Sequence, residues 1–382
     1  MDIARFGIVA TSVSDLLATW PRPADEISAL CSSLTQGEVP DYSVEALHFA
    51  LAYWVRNFWK AAYFFGYEFR SPSLLLNRFL VADGCLEVLV LGAGSGADTV
   101  ACMAWLDETL PLQRIKLTLL DRSPEQLALA RSILDRALSV LNRARFEINY
   151  LVSDLDDWNP MADSIDLILM GHVLTENPRF VEQLVVKTVS VLKPRGDLIM
   201  IERLRDPIWL AARDSYALRG VTTHDVKLDA KFSQLIPALP SEQTDMTPSY
   251  VKASMPSNKK LQSLVSAYFE AWVGQSSDNL DRIFTVDATY DEKPCIEPII
   301  NGLDGIRRYW DEHPGRQRNV QLKVHNVAYS DTVSVCSWSG EFDTPEQHIS
   351  IRGAMNFYLD SCRGKINRFD EWFGTQKSVL KT

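Results

Sequence analysis

Residues 86–97 run from a hydrophobic strand through a glycine-rich turn into a helix, as Leu-Glu-Val-Leu-Val-Leu-Gly-Ala-Gly-Ser-Gly-Ala. Gly92, Gly94 and Gly96 lack the Cβ atom that would keep a ligand away from the backbone. The helix that begins near Gly96 directs free N–H groups toward an anionic or carboxylate-bearing ligand. The turn therefore predicts a nucleotide-like cofactor. It also fits the dinucleotide-binding pattern G-x-G-x-x-G/A, so the turn alone leaves the cofactor open.

Carboxylates follow two further hydrophobic strands. Asp121 ends the strand predicted over residues 115–120, where a carboxylate can accept hydrogen bonds from both hydroxyls of a ribose. Asp154 and Leu155 follow the strand predicted over residues 146–151. The spacing places a second carboxylate beside the first at the mouth of the same sheet.

A fourth strand, predicted over residues 164–170, leads into Gly171 and His172. Ligand crevices of parallel sheets open at such strand ends, so His172 is a candidate general base for an acceptor that carries a proton. The alternative is a histidine that packs beside the cofactor or caps the next helix. Glu176 and Asn177 either orient a substrate or cap that helix, and capping is favoured.

The elements that must position these residues alternate along the chain. Helices are predicted between the strands, and a fifth strand is predicted after the helix at 178–192. The predicted strands cover residues 86–91, 115–120, 146–151, 164–170 and 198–202. This alternation predicts an α/β fold with a doubly wound, Rossmann-like parallel sheet.

The order of these strand ends resembles the class I S-adenosylmethionine-dependent methyltransferases over about residues 45–203. The resemblance implies that the glycines surround the methionine and ribose parts of S-adenosyl-L-methionine and that Asp121 binds the ribose. It implies that Asp154 binds the adenine amino group and that Leu155 packs on the ring. The cofactor residues predicted in this way are Gly92, Gly94, Gly96, Asp121, Arg122, Asp154, Leu155 and Gly171.

Three further features bear on the resemblance. The Leu-Lys-Pro-Arg-Gly stretch at 192–196 is similar to the L-K-P-G-G that precedes the fifth strand of the family. Residues 221–228 and 250–254 are candidates for the hairpin that closes the family's sheet. Leu91 departs from the family, because many members carry Asp or Glu there. The methionine amino group therefore needs another partner.

An aromatic segment precedes the turn, between His48 and Phe69. Its aromatic residues predict a helix that is apolar almost all round, and such a helix must be covered. It is either core packed on the sheet or a cap over the cofactor and an aromatic-lined acceptor pocket. In the second case Arg56 is expected to pair with the methionine carboxylate, and the aromatic faces to hold the sulfonium by cation–π attraction.

Composition limits the class of protein. The 382 residues carry a formal net charge of -10, which disfavours a nucleic-acid partner because phosphate backbones select clustered Lys and Arg. The six cysteines are scattered without a C-x-x-C pair, so no metal site is expected. No stretch reaches the ~18 apolar residues of a membrane span, and the first residues do not resemble a secretory signal. A cytoplasmic protein without a membrane partner is expected.

A second domain is predicted after a linker rich in Pro, Ser and Thr at 237–260. Helices come first here and four strands follow, which predicts an α+β domain. The order of segments such as Tyr268–Trp272 and Gly364–Glu371 resembles the SnoaL-like branch of the nuclear transport factor 2 superfamily, a cone of curved sheet and helices. The predicted domains are an N-terminal helical cap (1–85), a methyltransferase domain (86–257) and a SnoaL-like domain (258–382).

The role of the second domain stays open. The resemblance implies binding or dimerisation, which would make a homodimer, or a second active site, or a lid. Strand alternation puts only half of the polar and aromatic candidates on the inner face. Those candidates are Tyr290, Tyr309, Trp338, Glu341, Asp370 and Trp372.

Together these features predict a methyltransferase that uses S-adenosyl-L-methionine and acts by direct in-line transfer. A small aromatic or heteroaromatic metabolite of a biosynthetic pathway is the expected acceptor. The alternatives are a protein or peptide methyltransferase, a scaffold or dimerisation protein that keeps the nucleotide-type fold, and an NAD-dependent oxidoreductase.

Overall fold

The structure is a computed structural model that describes residues 3–35, 41–68, 85–109, 114–159, 161–171, 173, 177–202, 207–219, 221–227, 249–254, 258–293, 299–345 and 347–379. The chain divides into two compact units. The first comprises Met1–Trp209 and His224–Lys252, and the second comprises Leu210–Thr223 and Ala253–Thr382. Each unit encloses its own cluster of buried apolar side chains.

The first sheet has seven strands in the order β3-β2-β1-β4-β5-β7-β6. Strands β1 to β5 pair in parallel, and the strand order reverses between β1 and β4. A crevice opens at such a reversal, outside the carboxyl ends of the strands. The strands are β1 Cys85–Leu91, β2 Arg114–Asp121, β3 Phe146–Val152, β4 Ile165–Gly171, β5 Leu192–Glu202, β6 Thr222–Lys227 and β7 Ser249–Ser254.

These strands confirm the predicted doubly wound, Rossmann-like fold. The strand predicted over 198–202 is longer than expected and begins at Leu192. Its register against β4 shifts between the pairs that involve Ile165 and Leu167, which accommodates the proline at position 194 as an irregularity in the strand. Residues 193–196 lie in this irregularity, because Leu192 and Asp197 pair with β4 and the residues between them do not.

Helices flank this sheet. The helix predicted over 123–141 ends at Leu138 and begins after Ser123, whose Oγ accepts a hydrogen bond of 3.1 Å from the Gln126 N–H. This is an N-cap, with Pro124 at the first helical position. The helices are α1 Ile3–Ala18, α2 Ala24–Thr35, α3 Tyr42–Glu68, α4 Ala97–Thr109, α5 Pro124–Leu138 and α6 Val181–Val191.

The N-terminal helix α1 is tied to the sheet domain by a buried charge cluster. Asp107 on α4 accepts hydrogen bonds from Arg145 Nη1 at 2.9 Å and from Arg5 Nη2 at 2.5 Å. Apolar contacts reinforce this cluster, because Phe6 of α1 packs edge-on against Phe58 of α3. The predicted helical cap therefore packs into the same core as the sheet.

The aromatic helix α3 serves two purposes. One side is core: Trp54 stacks on Phe58, and Phe65 stacks on Trp105 of α4, with ring centroids 5.2 Å apart in both pairs. The other side reaches the carboxyl edge of the sheet, where Phe49 lines a cavity. The core interpretation therefore holds for one face of this helix, and the cap over a cofactor stays a prediction for the other face.

The second unit contains a six-stranded sheet in the order β10-β11-β12-β13-β8-β9. Its elements confirm the predicted α+β cone, and β8, which pairs in parallel with β13, was not predicted as a strand. The elements are α7 Pro207–Leu218, α8 Lys259–Val273, α9 Leu280–Ile283, β8 Phe284–Lys293, β9 Ile300–Asn301, α10 Leu303–Glu312, β10 Arg318–Tyr329, β11 Val333–Asp343, β12 Gln347–Asp360 and β13 Lys365–Val379.

Helix α7 contributes most of its length to the second unit. Ala217 is buried in the second core, and Asp214 lies 3.2 Å from the Lys323 ammonium of β10. The Gln262 side chain also donates a hydrogen bond to the Arg219 carbonyl just after α7. The chain thus enters the second unit at Leu210, well before the proline-rich segment. Across the described ranges, no helix is both long and apolar enough to cross a membrane.

Candidate functional site

The glycine-rich turn contains three glycines whose backbone lies in the left-handed region of φ. The φ angles of Gly92, Gly94 and Gly96 are +61°, +51° and +81°, in the region that favours glycine. A Cβ atom on Gly96 would lie 2.6 Å from Leu134 Cδ1 of α5. A Cβ atom on Gly94 would meet nothing closer than 3.9 Å. Gly96 therefore lets α5 approach, whereas Gly94 leaves open space beside the turn.

Asp121 fastens the turn to the end of β2. Its Oδ2 accepts a hydrogen bond of 2.8 Å from the Gly94 N–H, and its Oδ1 accepts one of 2.9 Å from the Ser123 N–H. Burial raises the pKa of this carboxyl, and the two N–H groups oppose that shift. Each carboxylate oxygen has a further lone pair, so Asp121 can also accept hydrogen bonds from two neighbouring hydroxyls.

A cavity lies at the carboxyl ends of β1, β2, β3 and β4. Most of the predicted cofactor residues meet there, although they come from four separate strand ends. The predicted residues in its lining are Gly92, Gly94, Asp121, Arg122, Asp154, Leu155 and Gly171. One edge of a parallel sheet thus brings together residues up to 79 positions apart, as the sequence pattern indicated.

Two predicted site residues are placed outside the cavity lining, and a third falls outside the described residues. Gly96 lies behind the turn and contacts α5, outside the described lining of the cavity. Arg56 is half-buried on α3 and also lies outside that lining, whereas its neighbour Asn57 is part of it. His172 lies outside the described residues, between Gly171 and Val173.

Sequence reasoning missed Gln126, which lines the cavity from the first turn of α5. Its side chain is 1% exposed, and in the described part of the chain neither Oε1 nor Nε2 has a hydrogen-bond partner. An unpaired buried amide costs about 1–3 kcal/mol, so a ligand with donor and acceptor groups is expected beside it. The sequence feature that could have indicated Gln126 is its position five residues after Asp121, in the first turn of the next helix.

The loop after β3 is held in place by a lysine. Lys187 Nζ of α6 donates hydrogen bonds to the carbonyls of Leu155 at 2.7 Å and Asp156 at 2.8 Å. The Asp154 side chain is exposed at the rim of the cavity, and its Oδ1 accepts a hydrogen bond of 3.4 Å from the Asp156 N–H. This rim offers a carboxylate and an apolar side chain side by side, which suits a purine with an amino group.

Helix α3 forms an aromatic wall on the cavity. Tyr42 and Phe49 both line it, and their rings meet edge to face with centroids 5.4 Å apart. Tyr53 continues the row, with its ring centroid 5.1 Å from that of Phe49. Aromatic faces attract cations and planar apolar groups, so this wall suits either a sulfonium or an aromatic acceptor.

Asp98, on the first turn of α4, is a second residue that sequence reasoning missed. It lines the cavity, and its carboxylate lies so close to Gly171 that a Cβ atom on Gly171 would overlap Oδ2. Burial raises the pKa of Asp98 to about 7, and the ammonium of Lys60 acts in the opposite direction. The cavity thus contains a carboxylate that changes charge near neutral pH.

The second unit contains a buried carboxyl network inside its sheet. Glu292 accepts hydrogen bonds of 2.5 Å from the hydroxyls of both Tyr290 and Tyr309. Burial raises the pKa of Glu292, against these hydrogen bonds and one with Glu371. Aromatic and aliphatic side chains form the core of this unit, in which Tyr290 stacks on Phe369 with ring centroids 4.6 Å apart.

The six polar and aromatic residues that were candidates for the inner face of this sheet do not all lie on that face. Tyr290 and Trp338 are buried in the core, and Tyr309 packs against it. Asp370 is buried on the opposite face, where three hydrogen bonds of 2.7–3.0 Å link it to Arg368. Glu341 and Trp372 are exposed. No group of three or more His, Cys, Asp or Glu residues suited to a metal occurs among the described residues.

Each of the two units contains a segment that matches a known protein family. Residues 89–200 match the family described as methyltransferase domain, and residues 265–369 match the family described as SnoaL-like domain. No curated protein matches the chain. The chain therefore combines a methyltransferase domain with a SnoaL-like domain, and it is a methyltransferase.

Solved structures similar to each unit cover only that part of the chain. A SAM-dependent methyltransferase from Methanosarcina mazei is 13% identical, covers 48% of this chain and 98% of its own, and has a TM-score of 0.36. SalBIII, an epoxide hydrolase/cyclase-like enzyme in pyran ring formation of salinomycin, is 19% identical, with coverages of 30% and 91% and a TM-score of 0.27. An LEH-like epoxide hydrolase from M. tuberculosis is 16% identical, with coverages of 31% and 86% and a TM-score of 0.28.

Proposed function

We propose that the chain transfers the methyl group of S-adenosyl-L-methionine to a small aromatic or heteroaromatic metabolite. One observation carries the proposal: a single cavity joins the glycine-rich turn and the Asp121 carboxylate to the aromatic wall of Tyr42 and Phe49. The first pair of features suits a ribonucleoside, and the wall suits a planar acceptor beside it. The fusion with a SnoaL-like domain supports a biosynthetic role by association.

The residues present fit the cofactor. Asp121 has lone pairs for the two ribose hydroxyls, and Gly94 leaves open space next to it. Gln126 presents a buried amide whose hydrogen-bonding atoms call for a ligand. Asp154 and Leu155 stand at the rim for an adenine amino group and an adenine ring. S-adenosyl-L-methionine, when bound, supplies a methyl group activated by a positively charged sulfur.

Catalysis in this proposal is mainly alignment. Methyl transfer is a direct displacement, and holding two reactants in line can supply about 7–11 kcal/mol of the barrier. The hydrogen bonds of Asp121 fix the turn, and the packing of α3 in the core fixes the aromatic wall. These rigid supports allow Tyr42 and Phe49 to hold an acceptor and to exclude water from it.

We further propose His172 as the general base that takes a proton from the acceptor. Its support is its place in the sequence, directly after the β4 residue Gly171, which lines the cavity. A positioned histidine at the carboxyl end of a strand can remove a proton as the new bond to the methyl group forms. An acceptor hydroxyl or ring N–H fits this role.

Titration calorimetry on the full chain tests the cofactor. We expect S-adenosyl-L-methionine and S-adenosyl-L-homocysteine to bind and NAD to give no heat. In Asp121→Asn one carboxylate oxygen becomes an NH2 group that faces a backbone N–H, so the affinity should fall by about 1–3 kcal/mol. Asp157→Asn is the control, because Asp157 is exposed and outside the described lining.

Release of S-adenosyl-L-homocysteine, measured against panels of metabolites and peptides, tests the acceptor. Turnover with planar aromatic metabolites supports the proposal. Turnover with peptides alone would favour a protein methyltransferase instead. Binding of NAD without the methyl donor would overturn the proposed function.

A further inference from the structure

A carboxylate lies in the cavity on the side away from the adenine residues. Asp98 is the second residue of α4, and its Oδ2 occupies the space that a Cβ atom on Gly171, the last residue of β4, would need. Its carboxylate is therefore at the junction of β1 and β4, where the strand order reverses. The junction is a place in the cavity that none of the predicted carboxylates reaches.

The order of the strands in the sheet predicts where each part of S-adenosyl-L-methionine would lie. Asp154 and Leu155 follow β3, Asp121 ends β2, and β4 lies on the other side of β1. A nucleoside held by these three residues covers β3 and β2. The amino-acid part of S-adenosyl-L-methionine must then extend over β1 toward β4. It carries an ammonium group and a carboxylate group into the end of the cavity where Asp98 lies.

The side chains at this end complement both groups. Lys60 is 5% exposed, and its ammonium donates a hydrogen bond of 3.3 Å to Asn57 Oδ1. Since Oδ1 accepts from Lys60, the Nδ2 group of Asn57 is left to donate, and Asn57 lines the cavity. The lining of the cavity thus contains a carboxylate and an amide donor, and the oxygen of that amide is bonded to a buried cation.

We propose that Asp98 binds the α-ammonium group of the methionine moiety, while Asn57 donates to its α-carboxylate. This inference rests on the proposed function. It also accounts for Leu91, which is buried and apolar at the place where many similar methyltransferases carry an acid. In this chain the acid is supplied seven residues later, from the first turn of α4.

Two ligands that differ only in the amino-acid part test the proposal. S-adenosyl-L-homocysteine carries the ammonium and carboxylate, and 5′-methylthioadenosine lacks both. In calorimetry on the full chain, we expect Asp98→Asn to weaken S-adenosyl-L-homocysteine at least tenfold and to leave 5′-methylthioadenosine within twofold. The exposed Asp157→Asn removes the same charge outside the lining and should change neither affinity.

Asn57→Asp is a second variant, since it keeps the size of the side chain and the acceptor for Lys60 and removes the Nδ2 donor. It should also weaken S-adenosyl-L-homocysteine alone, and binding of 5′-methylthioadenosine reports that each variant is folded. The wild-type affinity for S-adenosyl-L-homocysteine should rise between about pH 6 and pH 8, as Asp98 ionises around its pKa of about 7, and Asp98→Asn should lose that rise.

The outcomes separate this inference from the proposed function. Equal losses for both ligands, or no loss for either, overturn the role of Asp98 while wild-type binding of S-adenosyl-L-homocysteine still supports the function. A wild-type chain that binds neither ligand contradicts the function, and the role of Asp98 falls with it.

Discussion

At the scale of single residues, similar side chains in the site have different tasks. Gly94 borders the cavity, and its N–H donates a hydrogen bond to Asp121. Gly96 lacks a Cβ atom, which allows Leu134 of α5 to pack against it. The sequence shows the three glycines of the turn but does not show which of them borders the cavity and which allows a helix to pack. The difference depends on which part of the fold faces each Cα atom.

Alanine substitutions should therefore separate stability from binding. Both Gly94→Ala and Gly96→Ala place a side chain at positive φ, which costs about 1–2 kcal/mol. Gly96→Ala adds an overlap with Leu134, worth about 1–3 kcal/mol more. We expect thermal unfolding at a lower temperature for Gly96→Ala than for Gly94→Ala, and weaker S-adenosyl-L-homocysteine binding for Gly94→Ala. Equal melting temperatures would contradict the assignment of Gly96 to packing.

His172 is argued from its sequence position, and its variant gives a kinetic test. General base catalysis is worth about 100-fold to 10,000-fold, so His172→Gln should lower kcat by about 100-fold or more. The affinity for S-adenosyl-L-homocysteine should stay within about twofold, because the proposed role concerns the acceptor. A kcat that stays near the wild-type value across the pH range would exclude His172 as the base.

At the scale of elements, strand ends were predictable and cross-strand partners were not. The glycine-rich turn and the acids after β2 and β3 follow directly from strand-then-turn patterns in the sequence. Glu292 and Glu371 lie on β8 and β13 and meet only because these strands pair in parallel, 79 residues apart. Residues 284–293 also follow a helix without a turn signal, so their polar end was not predicted as a strand.

Chain-distant contacts explain the missed cavity residues as well. Asp98 and Gln126 look like ordinary first-turn helix residues, since acids and polar groups are favoured there. Their burial in a cavity depends on α3, which begins 56 residues before Asp98 in the sequence and covers the carboxyl edge of the sheet. Because such packing is set by tertiary contacts, local pattern could not reveal it.

The carboxyl network predicts a pH-dependent stability of the second unit. A Glu292 pKa raised above its ordinary value of 4.5 means that the protonated carboxyl stabilises the fold. That contribution is complete below about pH 4.5 and is lost as pH rises through the raised pKa. Glu292→Gln cannot ionise; it keeps an acceptor oxygen for one of the two tyrosine hydroxyls and places an NH2 group beside the other.

Calorimetric unfolding between about pH 5 and pH 9 measures the pH dependence of the stability of the second unit. We expect the melting temperature of the second unit to fall with rising pH more steeply in the wild-type chain than in Glu292→Gln. Glu341→Gln, an exposed glutamate on β11, should keep the wild-type slope. Identical slopes for wild type and Glu292→Gln would show that Glu292 carries no such linkage.

At the scale of the whole molecule, the chain joins a methyltransferase domain to a SnoaL-like domain whose interior is packed with aromatic and aliphatic side chains. A filled interior favours a binding or pairing role for the second unit over a second active site. Its sheet has an outer face on which Ala354 lies between Trp372 and Ser337 in register. Val335 and Trp372 on this face are 46% and 43% exposed, which leaves apolar surface for a partner.

We propose that this outer face pairs two copies of the chain. Sedimentation should then give a mass near twice 43.1 kDa for the wild-type chain, and Trp372→Glu should shift it toward the monomer. Val273→Glu is the matched control, since Val273 is 47% exposed on α8 rather than on the sheet. A wild-type monomer, or a dimer unaffected by Trp372→Glu, would contradict pairing through this face.

The most direct test of the account is a crystal structure of the chain with S-adenosyl-L-homocysteine bound. We expect the ribose hydroxyls on Asp121, the adenine beside Asp154 and Leu155, and the amino-acid group at Asp98. A ligand bound elsewhere, or one with its sugar turned away from Asp121, would contradict the central claim that this cavity holds the methyl donor.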